Sequence, residues 1–402
     1  MSGNIDVSLL KKEMQNELDH LLRWWSTHMV DQQHGGFYGR MDHNNQLYPF
    51  ADKAIIMHSR ILWSFAAAAK LTDELSYRAM ADHAYTFIEA HFIDRKYGGV
   101  YWMLDFQGKL GNDRKQIYAQ AFTIYALAEY YQLTALPEAL EQALALFEKI
   151  EQYSFDPIQG GYFEAFGRRW ESIADLRLSS KDANEAKTMN THLHILEAYT
   201  TLYRASQNQQ VGMALKRLIR CFMERFVDEK TGHLILFFDE KWEAKSKVIS
   251  YGHDIEASWL IIEAMALFDA TEWQSSVKDW ALALAKVTAG EGLDEEGGLN
   301  NEQEADGEID TDKHWWPQAE AVIGFWNAWE LSGEATFQHL AVDIWQYIQL
   351  DIKDEKGGEW IWGRRKNGSL LLQEDKAGPW KAPYHNGRMC IEMIRRLSEQ
   401  LD

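Results

Sequence analysis

Apolar positions recur every three to four residues in a dozen separate stretches of the chain, with short runs of strict alternation between them. The first spacing is that of one face of a helix; the second is that of a half-buried strand. Helices are predicted over 7–29, 53–72, 75–92, 116–133, 137–153, 188–206, 209–227, 250–270, 273–289, 314–332, 336–350 and 381–400. The alternating segments, such as Gly99-Val100-Tyr101-Trp102-Met103-Leu104-Asp105, are short and read as hairpin-like loops.

An acidic residue followed by a glycine turn recurs six times. Asp31 precedes Gly35-Gly36, Asp94 precedes Gly98-Gly99, and Asp156 precedes Gly160-Gly161. Asp228 precedes Gly232, Asp294 precedes Gly297-Gly298, and Asp354 precedes Gly357-Gly358. The markers lie 60–72 residues apart, and each sits between two helical stretches. Six such units, with long connections alternating with very short ones, predict an all-α fold: an (α/α)6 barrel with six inner and six outer helices. An open helical solenoid is the alternative. A closed ring makes 1–402 one domain, and no Pro/Ser-rich linker or low-complexity run divides it.

Composition changes this picture in one respect, the choice of partner. The chain has 402 residues, is 46% hydrophobic and holds 17 Trp, enough for a large core. Its formal net charge of -20 argues against nucleic acid or an acidic membrane surface as partner, but not against a small neutral substrate. Cys221 and Cys390 cannot form a disulfide framework and suit a reducing compartment. The start of the chain has no basic segment leading into an apolar run, and no stretch approaches the roughly 20 apolar residues of a membrane span. A cytoplasmic monomer is expected, with Asn367-Gly368-Ser369 as a plain turn.

The long connections all feed the even-numbered helices, so the starts of those helices should share one end of the barrel, where function collects. The eighth helix opens Ser250-Tyr251-Gly252-His253-Asp254-Ile255-Glu256-Ala257-Ser258-Trp259. Spacings of three bring His253, Glu256 and Trp259 toward one space: an imidazole, a carboxylate and an aromatic plane. Other starts add Arg60, Tyr118, and Trp316 with Glu320 one turn on, and His385 lies just after Trp380. His192 and His194 are two apart and point in nearly opposite directions, so they do not share a metal. His194 goes inward with Asn190 and Glu197, and His192 packs.

Taken singly, each of these residues has a structural reading, such as an ion pair for Arg60 or a cap for His385. Their convergence at one end argues for a site. Nucleotide-loop, serine-elbow, zinc-protease and Cys-x-x-Cys motifs are missing from the sequence. What is left is proton chemistry by histidine, suited to abstraction beside a sugar carbonyl. Two other readings are a glycoside hydrolase using Glu256 and Glu320, and a sugar- or protein-binding module without catalysis.

Four strings carry a resemblance: Met189-Asn190-Thr191-His192-Leu193-His194, Tyr251 through Trp259, Lys313-His314-Trp315-Trp316-Pro317-Gln318-Ala319-Glu320, and Trp380-Lys381-Ala382-Pro383-Tyr384-His385. Over nearly the whole chain the sequence resembles the N-acylglucosamine 2-epimerase superfamily, and within it the cellobiose 2-epimerases. The resemblance implies an (α/α)6 barrel and reversible epimerisation at C2 of the reducing-end glucose of β-1,4-linked disaccharides, without metal or nicotinamide. It implies His253 and His385 as the acid/base pair and His194 as a helper in ring opening. Arg60, Tyr118 and Asn190 would hold the sugar's oxygens, with Asp182 added from the loop before the sixth helix. Glu256 and Glu320 would orient histidines or hydroxyls, and Trp316 and Trp380 would stack on the two sugar rings. A monosaccharide 2-epimerase or an aldose–ketose isomerase would share the histidines. The long polar loop 168–187 is expected to form a lid or subsite wall, its alternative being a surface excursion.

Overall fold

The computed structural model describes residues 5–268 and 273–401, through which twelve α-helices run. They are α1 (Val7–His28), α2 (Ile55–Thr72), α3 (Leu75–Phe87), α4 (Ile117–Thr134), α5 (Pro137–Lys149), α6 (Met189–Ser206), α7 (Gln209–Cys221), α8 (Tyr251–Met265), α9 (Gln274–Val287), α10 (Trp315–Ser332), α11 (Ala335–Tyr347) and α12 (His385–Glu399). Helices α2, α4, α6, α8, α10 and α12 each touch the next, and α12 touches α2, which closes an inner ring. Helices α3, α5, α7, α9 and α11 lie outside against the helix before them, and α1 lies against α12. The fold is the expected (α/α)6 barrel.

Sequence pattern separates the two rings. The inner helices are buried on nearly every face, because ring neighbours and outer helices cover them; α2 is buried continuously from Ile55 to Ala69. An outer helix buries one stripe, as α7 does with Val211, Leu215 and Leu218. Among the described residues no helix is long and apolar enough to cross a membrane.

The six acidic turns explain how the repeats are joined. In each, the carboxylate accepts backbone N–H groups of the turn through Oδ1, as Asp156 does from Ile158 and Gln159. In five of them Oδ2 takes a lysine: Asp31 from Lys53, Asp94 from Lys115, Asp156 from Lys187, Asp294 from Lys313 and Asp354 from Lys376. Four of those lysines open a two-residue strand leading into an inner helix, and that strand pairs with the hairpin of the next repeat. The fourth repeat has Ile249 in that place and instead clamps His233 between Asp254 and Glu291.

A second regularity lies in the fourth residue of five inner helices. His58, Gln120, His192, Asp254 and Gln318 each accept the backbone N–H of the residue that follows the glycine turn. His192 is therefore a packing residue, as expected, equivalent by position to a glutamine in two other repeats.

Helix ends differ from expectation in three ways. The outer helices α3, α5, α7, α9 and α11 each run into a single π turn, ending at Phe92, Ser154, Phe226, Gly292 and Ile352. Helix α12 begins at His385, not 381, because Pro383 has no N–H to give and keeps the residue before it out of the helical region. Helix α8 stops at Met265; its expected end at 269–270 lies outside the described residues.

Candidate active site

The helix starts at one end of the ring surround a cavity of about 480 Å³. Five inner helices place their sixth residue at this level: Arg60, Phe122, His194, Glu256 and Glu320. One position in a repeated scaffold has thus been filled with an arginine, a ring, an imidazole and two carboxylates. Of the residues expected here, Arg60, Tyr118, Asp182, Asn190, His194, His253, Glu256, Trp316, Trp380 and His385 all line the cavity. A neighbouring cavity of about 490 Å³ shares Ser179, Lys181, Asp182, Asn190 and His253 with it and extends past Glu164.

Each of the three imidazoles has its Nδ1 committed. His385 Nδ1 lies 2.6 Å from Glu320 and His194 Nδ1 lies 3.0 Å from Glu197, while His253 Nδ1 meets only the hydroxyl of Ser250 at 2.8 Å. A carboxylate accepts, so the first two rings carry a proton on Nδ1 and turn Nε2 away from that carboxylate. Burial drives His253 down to about 3, with His194 adding to the effect. Burial and the cations Arg60 and Arg388 hold His385 well below the usual imidazole value. Both rings are neutral bases at neutral pH.

Aromatic rings fix these groups in place. Trp316 lies 4.8 Å from His253 and 5.6 Å from His385, centroid to centroid. Its approach depends on Gly252, where a Cβ would come within 2.5 Å of the indole. Tyr118 and Phe122 flank His194 at 4.9 and 4.7 Å. Trp380 stands beside Trp102, with its carbonyl accepting from Arg60 Nη1 at 2.6 Å. Arg60 Nη2 donates to the Tyr118 hydroxyl at 2.9 Å, and its Nε is buried without a partner, as is Asn190 Oδ1.

Two expectations are corrected. Trp259 does not reach the cavity: it is buried below, donating Nε1–H to Glu320 at 3.1 Å and lying under Arg388. A step of six residues turns a helix by about 600°, which leaves Trp259 about 120° away from His253. Glu320 likewise does not line the cavity; it stands behind His385. Glu256 does line it, but is held by Arg388 at 2.5 Å and orients no histidine directly. Trp315, next to Trp316 in sequence, also borders the cavity, with Trp362 at 4.3 Å from its ring.

The residue that sequence reasoning missed is Arg388. Its guanidinium bonds Glu197, Glu256 at 2.5 Å and Glu320 at 2.6 Å, all in the buried floor. Burial and the adjoining Glu320 push Glu256 up to about 7 against the pull of Arg388. Burial would raise Glu197 too, but Arg388 and His194 outweigh it and hold that carboxyl at about 2. Donor atoms of Glu256, Glu320 and His385 lie within 4.8 Å of one another, a spacing that suits a cation. The guanidinium of Arg388 already fills that position.

The loop 168–187 forms one wall. Leu178, Ser179, Ser180, Lys181 and Asp182 border the cavity, and Lys181 reaches Glu374 on the facing wall at 3.9 Å.

The fold and sequence have close relatives. A cellobiose 2-epimerase from Bacteroides fragilis is 48% identical over 96% of this chain and 99% of its own length, and one from Ruminococcus albus is 40% identical over 96% and 99%. The structure of cellobiose 2-epimerase from Bacillus thermoamylovorans B4167 superposes with a TM-score of 0.93 at 38% identity, covering 97% of this chain and 100% of that one. A GH76 α-mannanase from Bacteroides thetaiotaomicron, at a TM-score of 0.65 and 13% identity, shares the fold alone. The model of the N-acylglucosamine 2-epimerase (GlcNAc 2-epimerase) family matches residues 36–387, and the chain belongs to that family of carbohydrate epimerases.

Proposed function

We propose that this protein reversibly epimerises C2 of the reducing-end glucose of β-1,4-linked disaccharides, turning cellobiose into glucosyl-mannose and lactose into epilactose. The observation that carries the reading is the convergence of His194, His253 and His385, from three inner helices, on one cavity.

Inverting C2 means removing its proton from one face of the open-chain sugar and returning a proton to the other, through a cis-enediolate. His253 and His385 are the pair for that exchange: the neutral ring that takes the C2 proton becomes imidazolium. The proton that arrives on the other face comes either from that same imidazolium after the enediolate has turned or from a partner ring that enters the cycle protonated and leaves it neutral. Arg60 stays cationic and aims several donors, which suits the charge that develops on the C1 oxygen. His194 serves ring opening, Asn190 and Tyr118 offer polar contacts to hydroxyls, and Trp316 and Trp380 offer stacking planes for two rings. Asp182 closes the site from the loop.

A hydrolase would need two carboxyl groups facing the glycosidic bond. Both oxygens of Glu320 are taken, by His385 and Arg388 on one side and Trp259 on the other, which favours the epimerase.

The test is cellobiose in heavy water followed by proton NMR. An intact disaccharide epimer carrying deuterium at C2, lost in His253→Ala and His385→Ala, supports the reading. Release of glucose, or binding without deuterium uptake, rejects it.

A further inference from the structure

Arg388 does not line the active-site cavity, yet the two carboxylate-backed histidines meet at its guanidinium. Nη1 reaches Glu197, whose other oxygen holds His194; Nη2 reaches Glu320, which holds His385. The chain of contacts His194–Glu197–Arg388–Glu320–His385 thus spans three inner helices, and Glu256 joins from a fourth. The guanidinium is clamped between the rings of Trp259 at 4.8 Å and Tyr384 at 4.4 Å.

We propose that Arg388 is a positioning residue for the epimerisation: by compensating the carboxylates behind His194 and His385 together, it keeps each ring donating Nδ1–H to its carboxylate with Nε2 directed to the sugar. The proposal rests on the epimerase reading above.

Three buried carboxyl groups around one point cannot all stay ionised without a counter-charge. Take the guanidinium away and Glu197 and Glu320 are left uncompensated, which raises the proton affinity of the imidazoles bonded to them and turns a base toward its conjugate acid; Glu256, already raised to about 7, takes up a proton itself. The other groups facing the pair are Arg60 from α2, Tyr118 from α4, His253 from α8, and Tyr384, whose ring lies 4.7 Å from His385 and whose hydroxyl donates to Glu197. Burial raises both tyrosines, so they stay neutral, and Arg60 disfavours imidazolium in the same sense as Arg388. Lysine in place of Arg388 keeps the charge but loses the two-sided fork.

The experiment combines nitrogen NMR of the full chain labelled with 15N-histidine, assigned with His194→Asn and His385→Asn, and pH profiles of kcat/KM on cellobiose. In the wild-type protein at pH 7, His385 is expected as a neutral ring with Nδ1 protonated, and His194 with a proton on Nδ1 bonded to Glu197. Arg388→Met is expected to move the acidic limb of the profile up by about one pH unit or more. It should also lower kcat by about 10- to 100-fold and leave KM nearly unchanged. Arg388→Lys should return the limb to its wild-type position and recover part of kcat. A cationic His385, or a ring at either position without a proton on Nδ1, overturns the proposal in the wild type. So does a folded Arg388→Met with reduced kcat and an unmoved acidic limb. If Arg388→Met does not fold, the wild-type nitrogen shifts decide alone. Wild type without C2 exchange would reject the epimerase reading, while the nitrogen shifts would still judge Arg388.

Discussion

The Glu320 carboxylate and His385 Nδ1 lie 2.6 Å apart, joining α10 to α12 across 65 residues of chain. That bond selects which ring nitrogen faces the cavity. Glu320→Gln keeps the shape but can present an N–H to Nδ1, which favours the wrong tautomer. The expected result is a loss of about a hundredfold or more in kcat, with KM moving less than about threefold. Initial rates of epimer formation check it, and an unchanged kcat would show that the bond does not matter.

His192 and His194 give a sharper contrast, since they are two residues apart and both buried. His192 accepts the N–H of Tyr162 and bonds the Thr188 carbonyl, while Gln318 accepts the N–H of Leu299 and donates to the His314 carbonyl. Glutamine can therefore do the work of His192. His192→Gln is expected to keep kcat within about threefold, whereas His194→Gln should lose about a hundredfold. Equal losses would mean that both act through packing.

These two residues also show what could be read in the sequence and what could not. Helical periodicity put His194 inward and His192 outward, because a two-residue step nearly reverses direction on a helix. Glycine turns marked the repeats because residues such as Gly98 and Gly160 sit at φ of +74° and +75°, where other residues are strained. Arg388 could not be found this way. Its three carboxylate partners belong to α6, α8 and α10, and only the closed ring brings those helices together over α12. The one available hint was its position three residues after His385, on nearly the same face. Trp259 shows the opposite error, in which two successive spacings of three were treated as one direction.

Stability should fall in mild acid, and His58 tests the cause. Burial holds His58, His192 and His253 at about 3 in the folded chain, against 6.5 for a free ring. Between those values the unfolded chain binds more protons, so their contribution is complete above about pH 6.5 and is lost as pH falls toward 3. Glu164 and Glu256, raised from 4.5 to about 8 and 7, work in the opposite sense between about pH 4.5 and those values. His58→Gln removes one imidazole from the count. Between pH 6 and 4 the slope of unfolding free energy should flatten by about 1.4 kcal/mol per pH unit relative to wild type. Parallel denaturation curves at each pH would contradict this.

The lysine–aspartate pairs predict an inequality. Lys187 supplies the cationic partner of Asp156, whose remaining bonds come from backbone N–H groups. Lys115 shares Asp94 with Arg168, which sits at 3.0 Å. Lys187→Met strands a buried carboxylate and should cost about 3–5 kcal/mol. Lys115→Met should cost about 1–2 kcal/mol because Arg168 remains. Urea denaturation of the two variants checks the order, and the reverse order would mean that Arg168 does not compensate.

The wall loop makes the last prediction, and its anchors dictate how to test it. Arg168 is fastened to Asp94, Arg114 holds the carbonyls of Asp175 and Arg177 at 2.6 and 2.9 Å, and Asn184 ties back to Ala174 and Leu176. Removing the whole excursion would therefore loosen the joint between repeats as well as the site. Residues 178–183 are the part that borders the cavity, braced by the Ser179 N–H donating to Asp182 at 2.7 Å. Replacing that segment with two glycines leaves every anchor in place. A wall that contacts the second sugar ring lowers KM for a disaccharide and does nothing for a monosaccharide. The replacement should raise KM for cellobiose by about tenfold or more while changing C2 exchange on free glucose by less than about twofold. Equal effects on both sugars would mean that the loop shapes the reacting subsite itself, and the choice of disaccharide would then fall to Trp316 and Trp380.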